Sequence, residues 1–88
     1  MHAMVFHVKI HDQEEAKRIL DEQIVPGVSG APGFVAGYWV ETTDGAGTSV
    51  IVFESEETAN AAAASGPRPQ SDALSVESFT IGAVVAHA

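Results

Sequence analysis

Apolar residues that recur at every second position are the feature that most restricts how this chain can fold. Between positions 2 and 10, one parity is occupied by Met4, Phe6, Val8 and Ile10. A period of two places successive side chains on opposite sides of a β-strand, whereas a helix has a period of about 3.6. Strand-like composition returns at 34–43, 48–53 and 73–86. The chain therefore predicts four strands.

A first helix is predicted between the first two strands. Asp12 precedes Glu15 by three residues, the spacing at which a capping side chain and a glutamate satisfy the free amides at a helix start. Apolar residues then follow at helical spacing to about Val25. Residues 26–33 contain three Gly and two Pro, which predicts a loop with room for one helical turn.

A second helix is predicted between the last two strands. Ser55 can cap it, and the helix then runs from position 56 to about position 64, with alanines that allow close approach to a sheet. The Gly-Pro-Arg-Pro-Gln-Ser stretch at 66–71 ends it. Residues 44–47 read Asp-Gly-Ala-Gly, which is typical of a tight turn between two antiparallel strands.

The predicted element order is β-α-β-β-α-β, the pattern of a ferredoxin-like fold in the α+β class. Right-handed crossovers place the first strand between the third and the fourth. The result is an antiparallel four-stranded sheet with both helices on one face. With 88 residues there is room for one domain, so residues 1–88 are predicted to form a single unit.

Several strands are apolar on both parities, although two short helices can cover only one face of the sheet. Strand three has Val50 and Val52 on one side and Ile51 and Phe53 on the other. Strand two sets Phe34, Ala36, Tyr38 and Val40 against Val35 and Trp39, and strand four sets Val76 and Val84 against Phe79. A solvated sheet face would alternate more cleanly. Together with 45% apolar and 18% charged residues, this predicts a homodimer that covers the second face.

Charge and composition exclude several function classes. The formal net charge of −8 repels phosphates and anionic lipid heads, so neither a nucleic acid nor a membrane is expected as a partner. The absence of cysteine removes disulfides, iron–sulfur clusters and thiolate zinc sites. There is no long apolar run and no secretory pattern at the N-terminus. The expected location is therefore the cytoplasm.

The chain resembles the dimeric α+β barrel superfamily and, within it, the group named for antibiotic-biosynthesis monooxygenases. The resemblance rests on Pro32-Gly33-Phe34, Tyr38-Trp39, Asp44-Gly45 and the run from Val50 to Glu57. These motifs are architectural. The resemblance implies a homodimer with an apolar pocket in each subunit. It also implies small aromatic ligands and, in some members, oxygenation without a cofactor.

Three residues are candidates for catalysis. Tyr38 and Trp39 are consecutive on a strand and so point to opposite faces. A phenol or an indole N–H could orient a carbonyl-bearing aromatic ligand, although both residues could equally serve packing. His7 shares the less apolar parity of the first strand, which we assign to the face between subunits. A neutral imidazole there could accept a proton from a phenol; the alternative is a histidine hydrogen-bonded to a neighbouring strand.

Two further residues are candidates for ligand binding. Asn60 lies on the second helix and Arg68 stands between prolines in the following loop. Arg68 could meet an anionic ligand group, and solvated surface positions are the alternative for both residues. The other histidines offer no set of three or four ligands with carboxylate support, so no metal site is expected.

Three functional hypotheses remain open on the sequence, and the third of them is an interaction domain with no ligand. The first is a monooxygenase-like protein that binds or oxidises an apolar, aromatic small molecule without metal, flavin or haem. In that reaction His7 would be the base, and Tyr38 or Trp39 would orient the substrate. The second is a non-enzymatic dimer that binds a metabolite or regulates another process. The first needs at least two polar side chains that converge on a pocket, whereas the second needs only the pocket.

Overall fold

In the part of the chain that the structure describes, four strands form one sheet and four short helical elements pack with it. The computed structural model describes residues 1–43, 45–65 and 72–88. Along the chain the elements are β1 (His2–Ile10), α1 (Gln13–Ile19), a π-helical segment (Leu20–Ile24), α2 (Val25–Ser29), β2 (Phe34–Thr43), β3 (Ala46–Phe53), α3 (Glu56–Ser65) and β4 (Leu74–Ala83). The predicted breaker at 66–71 and Asp44 of the predicted turn lie outside the described residues.

The four strands form one antiparallel sheet in the order β2-β3-β1-β4. This order confirms that the first strand lies between the third and the fourth. The β2–β3 turn includes Gly45, whose φ of 78° lies in the left-handed region that a tight hairpin turn needs. The architecture is α+β and is compatible with a ferredoxin-like fold.

The start of α1 follows the predicted capping pattern. The backbone N–H of Glu15 donates to Asp12 Oδ1 over 3.1 Å, which satisfies one of the amides that a helix start leaves free. Further along the same surface, Arg18 donates to Glu15 and to Glu22. The hydrogen bond from Arg18 lowers the pKa of Glu15 below its ordinary value, and these bonds raise the pKa of the Arg18 guanidinium. The sequence thus fixes this helix locally.

The helical region continues past the predicted end near Val25, and α2 supplies the helical turn for which residues 26–33 have room. The helix widens before Pro26: the N–H of Val25 donates to the carbonyl of Leu20, five residues earlier. This π-type hydrogen bond comes immediately before a residue that has no N–H of its own. Pro26 then sits in the first turn of α2, where its missing donor costs little. The loop itself begins only at Gly30.

Two register shifts correct the predicted parities of the edge strands. In β2, Phe34 pairs with Phe53 and Ala36 pairs with Val52, so Val35 is the extra residue and Phe34 joins the side of Trp39. In β4 the register shifts next to Glu77, and Val76 then lies on the same side as Phe79. Simple alternation failed at both places because a bulge inserts one residue and reverses the parity beyond it.

The main core joins the sheet to α2 and α3. Met4, Ile51 and Phe53 form one buried cluster with Val28 of α2 and Ala59 of α3. Phe53 is fully buried, and its ring meets that of Phe34 edge-on at a centroid distance of 6.2 Å. A second, smaller cluster contains Ala16, Ile19 and Ala73. The predicted cap of α3 is also present, since Ser55 Oγ accepts from the N–H of Thr58 at 3.1 Å.

Candidate functional site

One side of the sheet carries cross-strand rows of residues that combine large and small side chains. The first row is Ile81, Met4, Ile51 and Gly37 on β4, β1, β3 and β2. The second row is Phe79, Phe6, Ser49 and Trp39, and the third is Val76, Val8, Gly47 and Glu41. We call this side the cavity face. Since β3 contributes the small members of the second and third rows, the surface is hollow along that strand.

Gly47 and Ser49 together create this hollow. A Cβ at Gly47 would lie 3.4 Å from a methyl group of Val8 and 3.2 Å from the carbonyl oxygen of Val40. A larger residue at position 47 would therefore displace Val8 or the β2 backbone and would reduce the cavity, whose lining includes Gly47. Ser49 is buried, and its register partners are the aromatic residues Phe6 and Trp39. A small hydroxyl side chain between two rings keeps the second row open as well.

A cavity of about 670 Å³ lies over this hollow. Its sheet side includes Phe6, Val8, Trp39, Gly47, Ser49 and Ile51. Its helical side includes Ala16, Leu20, Ile24 and Val28, and Ala62 and Ala63 of α3 complete it. The volume falls within the range of about 300–1,000 Å³ that small-molecule sites occupy, and a mostly apolar lining is typical of such sites.

The ring of Trp39 lies against the sheet, in the space that is free because Gly37 has no side chain. A Cβ on Gly37 would lie 2.8 and 2.9 Å from two carbons of the indole six-membered ring. Real Cβ atoms do not approach so closely, so the ring occupies the space that only glycine leaves free. The indole therefore has a defined position in the cavity wall, with Ser49 as its register partner.

Polar groups reach the cavity at its middle and at one end. The hydroxyl of Ser49 makes no side-chain hydrogen bond within the described part of the chain. At the end near the β2–β3 turn, Gln13 Nε2 donates to Glu41 Oε2 over 2.6 Å, and both residues line the cavity. Lys17 also lines this end, but its ammonium is bonded to both oxygens of Asp21 at 2.8 and 2.7 Å.

The structure separates the residues that the sequence proposed for catalysis. Trp39 lines the cavity, whereas His7 and Tyr38 lie on the opposite side of the sheet, which we call the second face. This separation of Tyr38 from Trp39 follows the predicted alternation. Tyr38 is 64% exposed, and His7 Nδ1 lies 3.1 Å from Thr48 Oγ1. A histidine hydrogen-bonded to a neighbouring strand is the alternative that the sequence left open.

The two proposed ligand-binding residues lie away from the described cavity lining. Asn60 is exposed on α3 and is not part of that lining, although Ala62 and Ala63 of the same helix are. Arg68 lies outside the described residues. Within the described chain, no group of three or more His, Asp and Glu residues is arranged to hold a metal ion.

Sequence reasoning missed Ser49, Gln13 and Glu41 as cavity residues. A signal for Ser49 was available, because it is the one polar residue between Gly47 and Ile51 on an otherwise apolar parity of β3. No such signal marked the other two. Gln13 and Glu41 lie 28 positions apart and meet only when the start of α1 is folded over the end of β2.

Comparisons with known proteins give no match: no family model, no curated protein and no solved structure is similar to this chain. Among the described residues, no helix has the length and hydropathy needed to cross a membrane.

Proposed function

We propose that this protein binds an apolar small molecule, with an aromatic group as the preferred part of the ligand, in the cavity between the sheet and the helical elements. The observation that carries the proposal is a cavity of about 670 Å³ with a mainly apolar lining and a fixed indole in its wall. Burial of a ligand there would remove apolar surface from water at about 25 cal/mol per Å².

The polar groups of the cavity support binding with a defined orientation. Ser49 can donate to or accept from a ligand oxygen, and the indole of Trp39 can add an edge or face contact with an aromatic ring. A site that positions a small molecule usually has a mostly apolar lining with a few polar groups.

Titration with Nile red, a neutral fluorescent dye, tests this proposal. The chain contains one tryptophan, so a change in Trp39 emission reports on the cavity directly. We expect the dye to gain fluorescence and to quench Trp39 in a saturable manner with a stoichiometry of about one dye per chain. Ser49→Leu would fill the hollow beside Trp39 and should weaken dye binding by about tenfold or more.

Ser29→Leu is the matched control, because Ser29 is exposed on α2 and is not part of the cavity lining. It adds the same apolar side chain elsewhere and should leave the affinity unchanged. If both variants bind the dye as the parent does, the dye occupies another surface and the proposal fails.

Oxygenation of the bound aromatic compound is the second candidate, and one observation favours it. The Trp39 indole, the Ser49 hydroxyl and the Glu41 carboxylate converge on one cavity, which satisfies the need of an enzyme for at least two polar groups at its ligand. None of the four histidines is part of the described lining. The base for a phenolic substrate would therefore be Glu41 in place of His7.

An oxygen electrode separates the two candidates. A naphthol that binds and is oxidised would consume O₂, and Glu41→Gln should then abolish consumption while binding persists. Saturable binding without O₂ uptake supports the binding function alone. In both cases His7→Ala should leave the result unchanged if the cavity of a single chain is the site.

We also propose that the protein acts as a homodimer through the second face. There Tyr38 and Val40 are 64% and 53% exposed, beside the half-buried Val50, Val52 and Val5 of β3 and β1. A stable interface needs about 800 Å² from each partner, and a second copy of the same face is a ready complement. Val28 of α2 and Ala59 of α3 pack against Met4, Ile51 and Phe53 of the cavity face, which supports the second face as the surface for the partner.

Light scattering and sedimentation at micromolar concentration test the dimer. The parent chain should show twice the chain mass, and Tyr38→Glu should shift it to the single-chain mass, because a carboxylate would be buried without a partner. Asn60→Glu adds the same charge on an exposed helix position and should leave the dimer intact. A parent protein with the single-chain mass contradicts this part of the proposal.

A further inference from the structure

We infer that the ligand of the cavity carries a protonated amine, or a comparable cationic group, that is bound by Glu41 while its apolar part lies over Ser49 and beside Trp39. This inference rests on the proposed binding function and narrows it to one ligand class. Glu41 belongs to the third row of the cavity face and lines the cavity at the end near the β2–β3 turn.

Among the described residues, Glu41 is the one acid that lines the cavity, and no cation is paired with it. Each basic side chain that the structure describes is paired with another acid: Lys9 with Glu77, Lys17 with Asp21, and Arg18 with Glu15 and Glu22. The partner of Glu41 is the neutral amide of Gln13. A ligand ammonium would supply the positive charge that this carboxylate lacks, through a charge-assisted hydrogen bond.

Lys17, the cation at this end of the cavity, does not make a carboxylate ligand more favourable than an amine. Lys17 lines the cavity, but its ammonium is held by both oxygens of Asp21 at 2.8 and 2.7 Å, so a ligand carboxylate would have to compete with that pair. An anionic ligand would also meet Glu41 itself and the net charge of −8. The field of the whole protein draws cations towards such a site and repels anions.

The shape of the cavity sets the length of the ligand. The first row contains Met4 and the third contains Val8, four residues further along β1. At about 3.3 Å per residue, these rows are about 13 Å apart. A chain of about eight carbons with a terminal amine would span this distance, with its charge beside Glu41 and its apolar end towards Ile51. Gly47, the register partner of Glu41, also lines the cavity.

Displacement of Nile red by octylamine, octanol and octanoate tests the inference, since the three compounds share one apolar body and differ in charge. We expect octylamine to bind about tenfold more tightly than octanol, and octanoate to bind most weakly. Glu41→Gln should remove the preference for the amine and leave the affinity for octanol unchanged. A glutamine side chain can still accept from Gln13, so the fold should be retained.

Glu54→Gln is the matched control, because Glu54 is an exposed acid beyond the end of β3 and is not part of the cavity lining. It changes the net charge equally and should retain the amine preference. Equal affinities for octylamine and octanol would overturn the inference while the proposed function stands. If Glu41→Gln and Glu54→Gln lose the preference for octylamine equally, the preference comes from the net charge of the protein, and the inference is overturned. If none of the three compounds displaces the dye and the dye itself does not bind, the proposed function fails instead.

Discussion

The two faces of the sheet are built from the same four strands, yet they differ in the way that side-chain sizes are combined. On the cavity face, large residues on β1 and β2 flank Gly47 and Ser49 on β3, and helical elements pack at one end of the rows. On the second face, the rows have no Gly or Ser of β3 between aromatic residues. One of them is Tyr38, Val50, Val5 and Thr80 from β2 to β4.

This difference teaches how a short chain can form both a cavity and a flat apolar surface. Small residues between large ones create concavity, which suits a small ligand. A face without such a hollow suits another protein surface better than a small ligand. The second face is apolar towards β2 and β3, whereas β4 contributes Ser75, Ser78 and Thr80. Because successive side chains of a strand lie on opposite faces, neighbouring residues contribute to different faces and therefore to different proposed functions.

The largest expected effect comes from truncation of a core residue on the cavity face. Phe53→Ala should lower the free energy of unfolding by about 3–5 kcal/mol, because Phe53 is fully buried and its removal leaves a hole between sheet and helices. Its neighbour Val52, on the second face, is half-buried in the single chain. Val52→Ala should lose about 1 kcal/mol. Urea denaturation of both variants measures the contrast, and equal losses would show that the two faces are equally buried.

A matched pair of glycines gives the next largest effect. Gly37→Ala should destabilise the protein by about 1–3 kcal/mol and shift Trp39 emission, because the new methyl group would overlap the indole ring. Gly82 pairs with Ala3 on the second face, and no atom lies within 4 Å of a Cβ there. Gly82→Ala should change the free energy of unfolding by less than about 0.5 kcal/mol. An unshifted Trp39 spectrum in Gly37→Ala would mean that the indole is not fixed by this contact.

A variant without the α1 cap should affect the helical side of the cavity and leave the second face unchanged. Asp12→Ala removes the acceptor for the N–H of Glu15 and should cost about 1 kcal/mol in the free energy of unfolding. It should also weaken Nile red binding, since α1 forms part of the cavity wall. The dissociation constant of the proposed dimer should stay unchanged, because α1 has no part in the second face. Asp12→Asn, which keeps an acceptor, should restore both properties.

The smallest expected effect is a dependence on pH from the surface of α1. Arg18 lowers the pKa of Glu15 in the folded state, so the folded chain binds fewer protons there than the unfolded chain. The contribution is therefore present at neutral pH and is lost as the pH falls through the acidic range. The stability difference between the parent and Arg18→Ala should be small at about pH 7 and should vanish at about pH 3. A difference that grows on acidification would contradict this sign.

The sequence predicted most of the fold because its local signals agree with one another. The first strand, the Asp12 cap and the β2–β3 turn each depend on residues within a few positions of one another, so their patterns can be recognised without the fold. The sequence predictions were wrong where a single residue altered the helical or strand pattern around it. The π-type turn admitted Pro26 into a helical region. The bulge at Val35 placed Phe34 on the cavity face.

The cavity could be predicted only in part, for a related reason. Trp39 was identified because it is a single, chemically distinctive residue. Ser49 was not predicted as a cavity residue, because its position between two rings depends on Phe6 and Trp39, its neighbours across two strands. Arrangements of this kind are set by register, which a single strand does not reveal.

By itself the sequence determined the element order and the antiparallel sheet with β1 at its centre. These follow from hydrophobic periodicity and from capping and turn residues, which act over short distances. The tertiary structure alone decided that Trp39, Ser49 and Glu41 share a cavity, that Gln13 is the partner of Glu41, and that His7 lies on the other side. The reason is that register, bulges and the packing of α1 over the sheet bring together residues from distant positions, and no local pattern encodes which distant residue each will meet.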